Sequence, residues 1–74
     1  MIESELLELG FIKNEWSWES QEFTEYIKGN EKLNITVYGV TKAVEINSGR
    51  MCNIIVSNCK NIEDLKQLIR LLDV

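Results

Sequence analysis

Leu33-Asn34-Ile35-Thr36-Val37-Tyr38 is the stretch whose reading decides the fold. Leu33, Ile35 and Val37 point one way and Asn34, Thr36 and Tyr38 the other, the two-residue alternation of a strand with one buried face. A strand so patterned needs an apolar layer across its first face. The leucine-rich segments at the two ends of the chain are the candidates to supply it, which makes this strand the middle of a small helix-covered sheet.

Towards the C-terminus, Gly39-Val40-Thr41-Lys42 reads as a loop into a strand over residues 43–47, with Val44 and Ile46 inward. Asn47-Ser48-Gly49-Arg50 reads as a turn into a further strand, residues 51–56, with Cys52, Ile54 and Val56 on one face. Towards the N-terminus, Gly29-Asn30-Glu31 reads as a hairpin turn from a strand over residues 23–28. Residues 15–22 form an extended arm or a first, irregular strand, although Trp16, Phe23 and Ile27 at i, i+7 and i+11 also fit a helix. Short turns make these strands antiparallel neighbours in chain order.

Ile2, Leu6 and Leu9 fall on one stripe of a short helix, which Gly10 ends and Phe11 closes by packing back on the last turn. Ile62, Leu65, Leu68, Ile69 and Leu72 make a second stripe, opened by Asn61 as N-cap and Asp64 at the third helical position. The expected architecture is α+β: one domain over residues 1–74, with an antiparallel meander of three to four strands. The N-terminal and C-terminal helices pack on one face of it.

Composition narrows the function. Apolar residues make up 45% and charged residues 27%, which is ordinary for a globular domain. No apolar run is long enough to cross a bilayer, and the acidic start, Met1-Ile2-Glu3-Ser4-Glu5, is unlike a secretory signal. The expected location is the cytoplasm, with no membrane partner. The net charge of −4 is uneven: residues 1–31 carry eight acids against Lys13 and Lys28, and residues 32–74 four acids against six bases. An acidic chain of this kind is not expected to bind nucleic acid, which needs clustered lysine or arginine.

The chain has no histidine, which removes Ser-His and Cys-His nucleophile arrangements. Cys52 and Cys59 are spaced for neither a zinc knuckle nor a redox pair, so no metal or cofactor is expected. They read as a small buried hydrophobe and a loop thiol, respectively. Glu22 with Glu25, and Glu63 with Asp64, are carboxylate pairs that surface charge and helix capping explain. The expectation is therefore not an enzyme. Aromatic residues remain as interface anchors: Trp16 and Trp18, alternating with polar residues, together with Tyr26 and Tyr38. Glu15, Glu19, Glu22 and Glu25 form an acidic surface around them. A sheet covered on one side would leave Asn34, Thr36, Tyr38, Glu45, Asn47, Asn53 and Ile55 on its second face, with Tyr26 or Thr24 beside them depending on register.

Leu6-Leu7-Glu8-Leu9-Gly10-Phe11 and Asn61-Ile62-Glu63-Asp64-Leu65-Lys66-Gln67-Leu68 give the chain a pattern that resembles small uncharacterised proteins of bacterial phages and mobile elements. Those begin with a short helix closing on Gly-Phe, continue through a β-meander and end in a helix with an acidic first turn. The resemblance implies a phage or mobile-element origin and carries no active-site residues. The functional expectation is a small protein-binding domain with another protein as partner. The alternatives are a structural homodimer, or a small-ligand binder or enzyme built on carboxylates.

Overall fold

The computed structural model describes residues 1–49 and 52–74 and, at Cys52, the backbone alone. Helix α1 spans Glu3–Glu8. Five strands follow: β1 Ile12–Trp18, β2 Gln21–Gly29, β3 Leu33–Tyr38, β4 Val44–Ser48 and β5 Cys52–Ile55. Helix α2, Ile62–Leu72, closes the chain. The strands form one antiparallel sheet in chain order.

Each helix is punctuated by its own residues. Gly10 takes a left-handed φ of 95°. This lets the Gly10 N–H donate to the Leu7 carbonyl at 3.0 Å and the Phe11 N–H to the Leu6 carbonyl at 3.1 Å. That pair of hydrogen bonds is a Schellman closure, and its usual apolar contact is present because Leu6 and Phe11 both join the core. At α2, the Asp64 N–H donates to Asn61 Oδ1 at 2.9 Å, as expected of an N-cap. The Asp64 carboxylate accepts from the Lys60 N–H at 3.2 Å, one residue before the cap.

Register decides the faces. Tyr26 lies opposite Val37, and Lys28 opposite Ile35; Ile35 lies opposite Ile46, and Val37 opposite Val44. Directly opposed residues share a face, so Tyr26, Ile35, Val37 and Val44 form one apolar surface. Leu6 of α1 and Leu65 of α2 are buried on it, with Phe11 and Cys59. Both helices therefore cover the same side of the sheet. Ile62, Leu68, Ile69 and Leu72 ring this core, so the whole expected stripe of α2 faces inward.

The sheet has five strands where three or four were expected, and the addition is β1. Residues 12–18 form a regular strand, neither arm nor helix, joined to β2 by Glu19 and Ser20 at φ 47° and 68°. Two left-handed central residues make the primed turn that matches strand twist, but glycine, asparagine or aspartate normally occupies it. Glu-Ser hides the hairpin from a reading of turn chemistry. Ile54, expected inward, is on the helix side of β5, opposite Ile46, but 56% exposed on this edge strand. Cys59, expected as a loop thiol, is in the β5–α2 connection but buried at 7% exposure. The turn expected at Arg50, the strand residue at Met51 and the burial expected at Cys52 lie outside the described residues.

Candidate functional site

The face away from the helices divides into two regions. Its middle is polar and internally bonded: Asn47 Nδ2 donates to Asn34 Oδ1 at 3.1 Å and Thr36 Oγ1 at 3.2 Å, and Thr36 Oγ1 donates to Asn34 Oδ1 at 3.2 Å. The Tyr38 hydroxyl donates to Glu45 Oε2 at 2.9 Å. Partial burial and that carboxylate hold the Tyr38 hydroxyl pKa above its ordinary value. Asn34, Thr36, Tyr38, Glu45, Asn47, Asn53 and Ile55 share this face as expected. Beside them stand Phe23, Glu25 and Ile27, not Tyr26 or Thr24, because Tyr26 pairs with Val37.

Its second region is aromatic and lies on the β1–β2 hairpin. β1 pairs with β2 as far as Trp18 opposite Gln21, whereas β3 begins pairing only at Glu25. The hairpin's distal half thus projects beyond the sheet body. Trp16 lies opposite Phe23, and their rings stack with centroids 5.4 Å apart at 17°. Trp18, two residues on and so on the same side, is 68% exposed. Ile12 and Ile27, another opposed pair, lie on the same face nearer the base, separated from the aromatic pair by Asn14 opposite Glu25.

Charge is concentrated on the same hairpin. Glu15, Glu19, Glu22 and Glu25 fall between Asn14 and Ile27, a stretch with no lysine or arginine. Lys13 bonds Glu15 at 2.8 Å and Glu3 of α1 at 2.7 Å. Hydrogen bonds to Glu15 and then Glu3 raise the Lys13 pKa, and the bond from Lys13 lowers that of Glu3. Glu25 accepts from Asn14 Nδ2 at 3.1 Å. Alternation puts Glu15 and Glu22 on the helix side of the hairpin and Glu25 on the aromatic side.

Comparison with family models, with curated proteins and with solved structures finds no match. The site is therefore read from its own residues. Trp16, Trp18, Tyr38 and Glu25 share the open face. Tyr26 does not join them: it is 7% exposed, on the core side, where burial first and then Glu3 raise its hydroxyl pKa. Glu22 and Glu25 lie on opposite faces of β2 and cannot act as one carboxylate pair. Asp64 caps α2, and Glu63 meets Lys66 at 3.3 Å. Among the described residues, no three His, Cys, Asp or Glu side chains gather where they could hold a metal ion, and no helix is long and apolar enough to cross a membrane.

Phe23 and Val40 belong to the site although the residues alone did not single them out as contacts. Phe23 stacks on Trp16, and Val40 borders a cleft of about 580 Å³ between the start of β2 and the β3–β4 loop. Trp16, Phe23, Tyr38 and Val40 supply its apolar walls. A strongly β-forming Phe23 near two tryptophans was the available signal; the position of Val40 depends on a loop meeting another hairpin.

Proposed function

We propose that this chain is a non-enzymatic protein-binding domain that holds a basic partner on the aromatic and acidic β1–β2 hairpin. The observation that carries this reading is the projection of Trp16, Trp18 and Phe23 on an uncovered face, among four glutamates with no cation between Asn14 and Ile27. Exposed tryptophans supply contact area at low entropic cost, and the carboxylates of Glu19, Glu22 and Glu25, unlike that of Glu15 which Lys13 already bonds, attract lysine and arginine.

Surface area supports a covered face. The accessible surface is 5481 Å², about 800 Å² more than size scaling gives for a folded 8.6 kDa chain, and that difference matches one partner's share of a standard interface. The two-cysteine composition supports a reducing, cytoplasmic setting. A phage or mobile-element origin, carried by the resemblance of the helix-closing motifs, would make a host protein the partner.

The test compares capture from bacterial lysate by the wild type and by Trp18→Ala. Trp18 is mostly exposed, so its removal shifts stability by no more than about 0.5 kcal/mol. An anchor of this kind is worth about 2 kcal/mol in binding, so the variant should release a partner that the wild type retains. Equal retention by a folded Trp18→Ala chain overturns the reading.

A further inference from the structure

The cleft beside β2 is an interrupted strand pairing. Gly39 N–H donates to the Thr24 carbonyl at 2.8 Å, which continues the β2–β3 ladder one step beyond Glu25 opposite Tyr38. The chain then turns away: Lys42 N–H bonds the Tyr38 carbonyl at 2.9 Å and Tyr38 N–H bonds the Ala43 carbonyl at 3.0 Å. In a regular strand the N–H and C=O groups of alternate residues point to the same side. The Thr24 carbonyl points towards β3, so the main-chain groups of Glu22 do too. Among the described residues, no backbone group pairs with Glu22 on that side.

The space those groups face is the cleft of about 580 Å³. Its two margins differ chemically. On the open-face margin stand Trp16, Phe23 and Tyr38, with Val40 across the gap. On the helix-side margin, Glu22 is a neighbour of Ser17 and Thr24, with Glu15 opposite Thr24. A strand added here would place the residue opposite Glu22 on the acidic margin and its two neighbours on the aromatic margin.

We propose that the cleft binds an extended peptide segment in which a lysine or arginine is flanked by apolar residues. The segment adds as a short strand to β2 beside Glu22. This deepens the protein-binding reading and rests on it. Main-chain bonds to Glu22 supply affinity, the aromatic wall receives the flanking side chains, and the Glu22 carboxylate selects the cation. A second copy fits poorly, because pairing hairpin to hairpin brings Glu15, Glu19, Glu22 and Glu25 of both chains together.

The test is an NMR titration of the 15N-labelled full chain with a blocked heptapeptide of alternating lysine and valine. Expected are shifts at Gln21–Thr24 and Gly39–Thr41, reaching Trp18 opposite Gln21, with exchange of the Glu22 amide proton slowed by about tenfold or more. Replacing the peptide's lysines by glutamates, or methylating the backbone nitrogens of its lysines, should weaken binding by at least about tenfold.

Unchanged binding by the N-methylated peptide overturns the proposal. So does an unprotected Glu22 amide, or the absence of any shift at about 1 mM peptide. Shifts at Trp18, Ile12 and Ile27 with none at Gln21–Thr24 would refute strand addition while leaving the protein-binding reading intact. Sedimentation of the chain alone detects a second copy, and a dimer whose contact maps to the cleft also overturns it.

Discussion

Cys59 shows how little of a residue's environment its type dictates. In sequence it is a polar-flanked loop thiol; in the fold it is a core residue beside the N-terminus of α2, and burial first, then Asp64, pushes its pKa up. The buried Tyr26 hydroxyl and the Tyr38 hydroxyl move the same way. Each native group therefore keeps its proton after the unfolded chain has begun to lose it. That stability is complete below the unfolded pKa and is lost as pH rises towards the folded one. For Cys59 the loss begins near the ordinary thiol value of 9.0, and for the tyrosines near 10.0. Urea unfolding should show Cys59→Ala losing less stability than wild type between about pH 8 and about pH 9.5. Identical losses in the two chains would remove Cys59 as the cause.

At the scale of elements, the β1–β2 hairpin and α2 are opposites. The hairpin's Glu19-Ser20 turn occupies left-handed backbone that costs non-glycine residues about 1 kcal/mol or more each. Its distal half has no covering layer, and the Trp16–Phe23 stack contributes only about 0.5–1.5 kcal/mol beyond area. Replacing Glu19-Ser20 by Asn-Gly should stabilise the domain by about 1 kcal/mol, read from the urea midpoint at unchanged slope. A destabilised variant would mean that the wild-type turn is not strained. Helix α2 is locally self-consistent: cap, acidic first turn and apolar stripe agree. Asn61→Ala leaves the Asp64 N–H without its acceptor and should cost about 1 kcal/mol by the same measurement.

At the scale of the molecule, one layer of helices covers one face of a five-stranded sheet, and the chain extends 37 × 29 × 21 Å. Two identical open faces brought together would oppose Glu25 and Glu45 on each copy, with no cation on that face among the described residues. The chain alone should therefore sediment as a monomer at low salt. A stable dimer would show instead that the apolar side chains of that face outweigh the carboxylates. The proposed complex with a basic partner should weaken as salt rises through the range that screens exposed charges.

The alternation of residues 33–38, the limits and cap of α2 and the Gly10-Phe11 closure were legible because each is decided by neighbours within about one turn or one strand. That the first strand is regular and runs from Ile12 to Trp18, that Tyr26 turns inward while Phe23 turns outward, and that Glu22 faces a cleft were not. These depend on which residues stand opposite one another in the sheet. A shift of one residue in that register exchanges the faces without changing local propensity. Local chemistry determined the elements and the acidity of this protein. Tertiary pairing decided which aromatic residues form the core and which stay on the open face, because only the assembled sheet has two sides and the helices cover one of them.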